Sequence, residues 1–419
     1  MRTRVTGLGA RAAGGALSVV RAVRRTGRPK HNALSYTMTG IVAFLVVFGL
    51  LMVLSTSSVL GLEAGGSPWS DFGRQLMWAA IGLVAFFLAS RMPYRNWRIL
   101  TPYILAFSLI TLLLVLIPGI GMATDGARRW LRFGPFAFQP SEVAKLAILL
   151  YASALLDRRA RRLDDLKAAF IPIMAMVAVM AGFIMMEPDL DTTVEIALIA
   201  GAVMWVGGVR TRHLLVLGGS AVLMVFGFVL MFPWRLSRLL VFLHPTDDPQ
   251  GAGYQTRQSL IHIANGGITG VGPGEGRSKW SGGLPAVHTD FIFSAIGEEF
   301  GLLGALVVLA MFVALAISGF RVASRMAKHD RFAMLLAGGA TSWICFQAVI
   351  NTAMATGIMP VTGTPLPFIS VGGSSLVSFM IAGGILVNLA RHCEPEKIRP
   401  SAMHPATRGA LKKSRPALT

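Results

Sequence analysis

A lone aspartate, Asp290, stands between a long polar segment and an almost wholly apolar one. It belongs to the run His288-Thr289-Asp290-Phe291-Ile292-Phe293, which is followed by Gly297-Glu298-Glu299. A carboxylate at the edge of a bilayer is costly, and it therefore indicates a function, such as accepting a proton from a hydroxyl group. Aspartate is also a favoured helix N-cap, so position alone leaves both interpretations open.

Two opposite charges on one helical turn form a second polar group. The segment 139–145 opens another apolar stretch, and its Glu142 and Lys145 share one face because they are three residues apart. The two charges could simply neutralise each other. Neutralisation gives no reason for placing them inside a membrane, however, so we expect both side chains to line a substrate cavity.

Basic and acidic residues also occur in two segments that we expect at the same end. Arg128, Arg129 and Arg132 lie in the segment 119–138. Guanidinium and ammonium groups bind phosphate oxygens well, so these residues suit a lipid-borne diphosphate that reacts at the membrane surface. The turn 187–192 has a plainer explanation, because proline and aspartate favour turns, although Asp189 could still face the cavity.

The elements that must position these residues are membrane spans. Of the 419 residues, 54% are hydrophobic and 14% are charged, with a mean hydropathy of +0.62. Soluble domains average about 25% charged residues. Apolar runs of about 20 residues can cross a bilayer as helices. The sequence predicts an all-α polytopic membrane protein with ten spans: 38–60, 74–90, 99–118, 139–157, 168–186, 192–209, 213–232, 291–320, 332–357 and 371–390.

The basic residues are unevenly distributed among the segments between spans. Alternate segments, counted from the N-terminus, hold 29 of the 39 lysines and arginines. By the positive-inside rule, this bias places both termini in the cytoplasm and predicts a multi-pass protein of the cytoplasmic (inner) membrane. The net charge of +19 thus reflects topology and lipid contact, and it does not indicate nucleic-acid binding.

The predicted organisation is one membrane domain between two tails. Residues 1–37 and 392–419 are basic and without apolar periodicity, so we expect largely disordered cytoplasmic tails around a ten-helix domain at 38–391. The outer loop 233–289 between helices 7 and 8 is long enough to be functional or disordered. Within it, 254–263 predicts an amphipathic helix at the membrane surface.

The second part of this loop, 266–285, contains eight glycines. Val271 and Arg277 stand where a phosphate-binding loop needs glycine and lysine, which argues against a nucleotide site. We expect the glycines to let the backbone approach a bulky ligand, or the loop to move. At the outer end of the last two spans, small residues in 365–375 favour close helix packing near Asn351.

Taken in order, the polar segments resemble the SEDS family (shape, elongation, division and sporulation), which are ten-span bacterial peptidoglycan glycosyltransferases. The likeness extends from about residue 50 to residue 388. It rests on Gly126-Ala127-Arg128-Arg129-Trp130, 139–145, 187–192, Gly253-Tyr254-Gln255 with Gln258-Ser259, 288–299 and 365–375. This ordered set is far more specific than any single motif.

The resemblance implies that the protein polymerises lipid II into glycan strands at the outer face of the membrane, with inversion at the sugar. Asp290 matches the family's catalytic aspartate. The predicted substrate-binding residues are Arg129, Glu142, Lys145, Gln258, Ser259, His288, Thr289 and Asn351. The resemblance leaves room for Mg²⁺ or Mn²⁺ at the diphosphate and implies no organic cofactor. Expected partners are lipid II, a class B penicillin-binding protein transpeptidase and other divisome membrane proteins.

The chain departs from the family pattern without touching Asp290. Ala137 stands where many relatives have arginine, Glu187 and Asp191 replace glutamine and glycine of the usual turn, and 282–285 is one glycine longer. The segments 55–58 and 247–249, together with His288, favour the division branch over the elongation branch. Lipid II flipping and unrelated transport are the competing functions. A flippase needs polar groups through the whole bundle, whereas here they crowd the outer half.

Overall fold

The computed structural model describes residues 32–63, 67, 69–124, 127–134, 136–163, 165–231, 242, 252–280 and 284–393. The predicted tails, apart from 32–37 and 392–393, and the segment 247–249 lie outside these residues. Eleven α-helices occur in the described part: α1 (Ala33–Glu63), α2 (Ser70–Arg91), α3 (Arg95–Leu116), α4 (Pro140–Arg158), α5 (Ile171–Met186), α6 (Leu190–Val206), α7 (Thr211–Met231), α8 (Ala252–Gly266), α9 (Ile292–Met326), α10 (Arg331–Ala355) and α11 (Gly373–His392).

All helices except α8 coincide with the ten predicted spans, which confirms the all-α polytopic fold. Within the described residues, seven helical segments are long and apolar enough to cross a membrane by length and composition alone. The other three of the ten predicted spans are α4, α6 and α7. α1 starts at Ala33, earlier than predicted, because Asn32 and Ser35 cap it reciprocally. The Ser35 N–H donates to Asn32 Oδ1 over 2.8 Å, and the Asn32 N–H donates to Ser35 Oγ over 3.1 Å.

The loops predicted to lie inside all meet at one end of the bundle, called the inner end here. There the Asn388 side chain donates to the carbonyl of Met92 (2.7 Å), and Tyr94 Oη donates to Asp330 Oδ2 (3.1 Å). At the opposite, outer end, the N–H of Val371 donates to the carbonyl of His288 (3.0 Å). The helices therefore alternate in direction as the predicted topology requires.

The centre of the bundle is formed by α10 and α11. In their most apolar stretches, 72% and 83% of the residues are buried. α11 packs extensively on α2, and α10 packs on α9 and α6. The close packing expected near 365–375 is present, since residues 366–370 are all buried.

The first outer loop forms a small antiparallel sheet, which the sequence interpretation missed. Its strands are β1 (Gly121–Thr124), β2 (Ala127–Phe133) and β3 (Phe136–Phe138), in the order β1-β2-β3. Leu131, in the central strand, is buried, whereas its neighbour Arg132 is exposed, which is the two-residue alternation of a half-buried strand. The sheet fixes the direction of Arg129.

The eighth predicted span is not one continuous helix. α9 is broken at Gly301, whose φ of 65° and ψ of −165° are not helical. A Cβ at this position would lie 2.4 Å from the main-chain nitrogen of Gly270, so only glycine fits. The predicted span over 291–320 is thus present, but its helix is interrupted at Gly301. A short helix up to residue 300 is enclosed by protein, and the lipid-exposed part follows the break.

The outer loop satisfies the backbone groups that this break would leave unpaired. The N–H groups of Leu302 and Leu303 donate to carbonyls of Gly267 and Ile268 over 2.9 and 3.1 Å. In return, loop N–H groups at 271 and 272 donate to the carbonyls of residues 298 and 299 over 3.0 and 3.1 Å. Irregular backbone at membrane depth is tolerated only where protein or water satisfies it, so loop and broken helix depend on each other.

Candidate active site

Asp290 lies in a tight turn just before α9. The N-cap residue of α9 is Phe291, so Asp290 stands one residue before the capping position. The carbonyl of Ala286 organises the turn, because it accepts from the N–H groups of Asp290 (3.1 Å), Thr289 (3.1 Å) and Phe291 (3.3 Å) and from Thr289 Oγ1 (3.1 Å). Ala286 has a φ of 54°, a left-handed conformation that costs a non-glycine residue about 1–3 kcal/mol.

The same turn is attached to the central helices. Asn351 Nδ2, on α10, donates to the carbonyls of Asp290 and Thr364, both over 2.7 Å. Asn351 is fully buried, and its Oδ1 has no hydrogen-bond partner in the described structure. His288 is held through its carbonyl by Val371, and burial lowers the pKa of its imidazole. Three predicted site residues, His288, Asp290 and Asn351, are thus brought together.

A buried ion cluster surrounds Lys145. Its Nζ lies 2.8 Å from Glu142 Oε1 and 2.8 Å from Glu195 Oε2, and it donates to Gln347 Oε1 over 3.4 Å. Lys145 is 1% exposed. An ammonium has three N–H donors, and these three acceptors engage all of them. Binding of diphosphate by Lys145 would therefore require some of these contacts to be exchanged.

The cluster is connected to the Asp290 turn through α10. Gln347 Nε2 donates to the carbonyl of Pro365 over 3.1 Å, and Asn351, one helical turn later, holds the neighbouring carbonyl of Thr364. The segment 364–365 thus lies between the ion cluster and the turn. Sequence reasoning missed Glu195 and Gln347, because each lies alone within an apolar span and only the fold brings them to Lys145.

Arg129 does not join this cluster in the structure. Its Nε and Nη2 donate to the carbonyls of Glu187 (3.1 Å) and Pro188 (2.5 Å), so it holds the outer turn between α5 and α6. Asp189 caps α6 by accepting from the N–H (3.2 Å) and Oγ1 (2.9 Å) of Thr192. Asp189 thus has the local turn role, and its Oδ2 also accepts from Gln139 Nε2 over 3.4 Å.

Glu187 is an unusual carboxyl in this turn. Burial first, and then nearby Asp189, raise its pKa to about 9, while Arg129 opposes the shift. Neither of its carboxyl oxygens has a hydrogen-bond partner among the described residues. The substitution of glutamate for the usual glutamine therefore places a titratable group where the family pattern has a neutral one.

The amphipathic helix predicted in the outer loop is present as α8, but its polar face is buried against α9. Ser259 Oγ contacts Ser294 Oγ (2.6 Å) and donates to the carbonyl of Ala355 (2.5 Å), while His262 Nδ1 lies 2.9 Å from Glu298 Oε1. Gln258 is half-buried on the same helix. Ser259 thus positions the loop helix against α9 and α10.

Two adjacent carboxylates of α9 hold the glycine-rich loop. Glu298 accepts from the N–H groups of Arg277 and Ser278, both over 3.0 Å. Glu299 Oε1 accepts from Lys279 Nζ (3.2 Å), and its Oε2 accepts from the N–H of Gly274 (3.1 Å). In this structure the glycines allow the loop backbone to approach carboxylates of the same chain. Sequence reasoning quoted the Gly-Glu-Glu motif without this role.

The described residues do not by themselves form a metal cage, since no three His, Cys, Asp or Glu side chains come together as ligands. Mg²⁺ is commonly held by one or two carboxylates together with substrate phosphates. A divalent cation at the diphosphate therefore remains a prediction.

Comparison with known proteins decides the family. The model described as "Cell cycle protein", which groups FtsW, RodA and SpoVE, matches residues 36–394. The chain belongs to the FtsW/RodA/SpoVE family. This confirms the resemblance read from the sequence, and every predicted site residue lies within the matched part.

Other members of the FtsW/RodA/SpoVE family match most of the chain. A probable peptidoglycan glycosyltransferase FtsW of Geobacter metallireducens is 38% identical over 346 residues, which cover 83% of this chain and 92% of the relative. Stage V sporulation protein E of Bacillus subtilis is 36% identical over 352 residues, covering 84% and 95%.

Solved structures share the fold of this FtsW/RodA/SpoVE member. One comes from work on the structural coordination of polymerization and crosslinking by a peptidoglycan synthase complex. It has a TM-score of 0.71 and 28% identity, and the match covers 86% of this chain and 98% of the other. RodA of Thermus thermophilus matches with a TM-score of 0.61 and 26% identity over 86% and 97%.

Proposed function

We propose that this protein is a peptidoglycan glycosyltransferase that polymerises lipid II into glycan strands at the outer face of the cytoplasmic membrane. The observation that carries the proposal is the placement of Asp290. Its turn is fixed at the outer end of the bundle by the Ala286 carbonyl and by Asn351. Relatives 38% identical over most of the chain carry this activity in their names.

In the proposed reaction, Asp290 accepts the proton of the acceptor's GlcNAc 4-hydroxyl. The oxygen then forms a bond to the anomeric carbon of the donor MurNAc, with inversion. The bond from that carbon to the diphosphate oxygen breaks, and its electron pair leaves with undecaprenyl diphosphate. Diphosphate is a good leaving group, so no second carboxyl group is needed as an acid.

Basic side chains at the outer end would stabilise the leaving diphosphate. Arg128 and Arg132 are exposed on the outer sheet, and Arg129 has its guanidinium on the carbonyls of the outer turn. Because Lys145 is engaged by three acceptors, its binding to diphosphate would accompany a rearrangement of the cluster.

A role in septal synthesis is the preferred assignment within this activity. It is supported by the FtsW names of several relatives, whereas the matched structures include RodA, an elongation-type member. As in the complex whose structure matches, we expect the chain to work beside a cross-linking enzyme, here a class B penicillin-binding protein, and with other divisome membrane proteins. Copurification with its transpeptidase would test this part.

The direct test uses purified protein and labelled lipid II. Glycan ladders on a gel are expected from polymerisation, and a wild-type protein that makes none, alone or with its transpeptidase, contradicts the proposal. A flippase would instead move lipid II across the membrane of vesicles without forming glycan ladders.

Reporter fusions after Thr419 and near Gly274 test the orientation of the protein in the membrane. The fusion after Thr419 should give a cytoplasmic signal, and the fusion near Gly274 should give an outer signal.

A further inference from the structure

One loop at the inner end gathers basic side chains around a cavity. The cavity has a volume of about 660 Å³, within the range of about 300–1,000 Å³ that is usual for small-ligand pockets. Five cationic side chains line it: Arg158, Arg159, Arg161, Arg162 and Lys167. It lies at the opposite end of the bundle from Asp290.

The acidic residues that line the same cavity are already engaged. Asp157 Oδ2 pairs with Arg98 Nη1 of α3 over 2.8 Å, and Asp165 Oδ1 accepts from the N–H of Lys167 over 2.9 Å. Within the described residues, no ion pair joins Arg158, Arg161 or Arg162 to any acid. With five cationic and two acidic side chains in the lining, the cavity therefore keeps a net positive charge, and Asp157 is already paired with a cation outside it.

Several basic residues elsewhere at the inner end have partners. Arg331 Nη2 donates to the carbonyl of Gly207 (2.6 Å), Arg391 Nη1 donates to the carbonyl of Ser90 (3.2 Å), and Arg95 Nε lies 3.8 Å from Asp330 Oδ2. The positive-inside rule explains why cations occur on this side. It does not explain why three arginines whose side chains have neither an acid nor a carbonyl partner within the described residues should surround one cavity.

The segment beside the cavity also presents apolar surface. Leu166–Phe170 forms a π-helix, a rare conformation that is frequent at functional sites. Leu166 and Ile171 are 41% and 49% exposed. A charged cavity next to exposed aliphatic side chains at a membrane interface matches the two parts of a phospholipid.

We propose that this cavity binds the phosphate of an anionic phospholipid headgroup, with the acyl chains along Leu166 and Ile171. Guanidinium groups bind phosphate in a bidentate manner, and clusters of basic residues at the cytoplasmic end of membrane helices are suited to anionic headgroups. The site is independent of glycan polymerisation, because none of its residues contributes to the Asp290 turn.

The test measures lipid retention by the purified full-length protein with native mass spectrometry. The wild type should retain phosphatidylglycerol in preference to phosphatidylcholine. Arg161→Gln/Arg162→Gln should weaken phosphatidylglycerol binding by about tenfold or more, since two exposed charges that contact phosphate are lost. Arg161→Lys/Arg162→Lys keeps the charge but not the bidentate geometry. Its affinity for phosphatidylglycerol should lie between those of the wild type and of the double glutamine variant.

The matched control is Arg321→Gln/Lys328→Gln, which removes the same charge from exposed positions of the inner end outside the cavity. It should bind phosphatidylglycerol like the wild type. An equal loss in the control would reduce the effect to general electrostatic attraction and overturn the site. Displacement of phosphatidylglycerol by an equal concentration of glycerol 3-phosphate would overturn the lipid assignment in favour of a soluble phosphate.

Discussion

The side-chain amide of Asn351 donates to the main-chain carbonyl of Asp290 over 2.7 Å. The same amide group donates to the carbonyl of Thr364, also over 2.7 Å. A residue of the central helix α10 thus fixes the backbone of the proposed general base through its main-chain carbonyl. The position of the carboxylate depends on the packing of the bundle and on the Ala286 turn alike.

Asn351→Asp should lower the polymerisation rate. The substitution conserves size but replaces an amide donor with a carboxyl group, and an ionised carboxylate facing two carbonyl oxygens would be repelled. Leaving buried acceptors unsatisfied costs about 1–3 kcal/mol each, so we expect the turn to shift. The measurement is the rate of glycan-ladder formation beside the thermal unfolding midpoint. Thr352→Ala, at the next position, removes only a hydroxyl bonded within its own helix and should retain the wild-type rate.

The ion cluster around Lys145 predicts an asymmetry between two substitutions. Lys145→Met leaves the buried carboxylates of Glu142 and Glu195 without a counter-charge, which should cost about 3–5 kcal/mol of stability. Glu195→Gln keeps an acceptor for the ammonium and removes the excess negative charge, so it should be tolerated. The measurement is the thermal unfolding midpoint of each variant and of the wild type in detergent. Equal destabilisation by both would show that the cluster is not held together by Lys145.

Glu187 predicts a pH dependence of stability. Its pKa is raised from 4.5 to about 9 in the folded protein, so its contribution to stability is complete below about pH 4.5 and is lost as the pH rises towards 9. The wild-type unfolding midpoint should therefore fall over this window. Glu187→Gln should reduce the fall and stabilise the protein at neutral and alkaline pH. An identical pH profile for the two proteins would exclude a buried, raised-pKa carboxyl.

The break in α9 predicts that Gly301→Ala is poorly tolerated. The new Cβ would approach the Gly270 backbone within 2.4 Å at a φ of 65°, so loop and helix must separate. A lower unfolding midpoint and faster proteolysis of the outer loop are expected. Gly182→Ala, in α5 with nothing within 4 Å of the new Cβ, is the control and should be neutral or stabilising, since alanine favours helices by about 1 kcal/mol. A Gly301→Ala protein as stable as the Gly182→Ala control would show that the break in α9 is not required for the stability of the fold.

The sequence predicted what depends on local composition. The ten spans follow from apolar runs, and the turn at 187–192 follows from its proline and aspartates. The proposed catalytic role of Asp290 came from a recognisable motif and stays a prediction. Each of these signals lies within a short window of the chain, which is why one sequence suffices to detect it.

What the sequence did not predict depends on contacts between distant segments. Glu195 is fifty residues from Lys145 in the chain. Glu298 accepts from loop amides that lie about twenty residues earlier in the chain. Arg129 was predicted to bind substrate from its charge and from its match to the family pattern, yet in the structure it holds carbonyls of another loop. A one-dimensional pattern contains the charge of a side chain but not the partner that engages it.

The most direct test of the proposed mechanism is the rate of lipid II polymerisation by Asp290→Asn. Asparagine preserves the size of the side chain but cannot accept the hydroxyl proton, and loss of a general base typically reduces the rate by about 10²–10⁴-fold. We predict a normally inserted protein that still binds lipid II and forms no detectable glycan ladder. A folded Asp290→Asn protein that polymerises lipid II at near wild-type rate would contradict the assignment of Asp290 as the catalytic base.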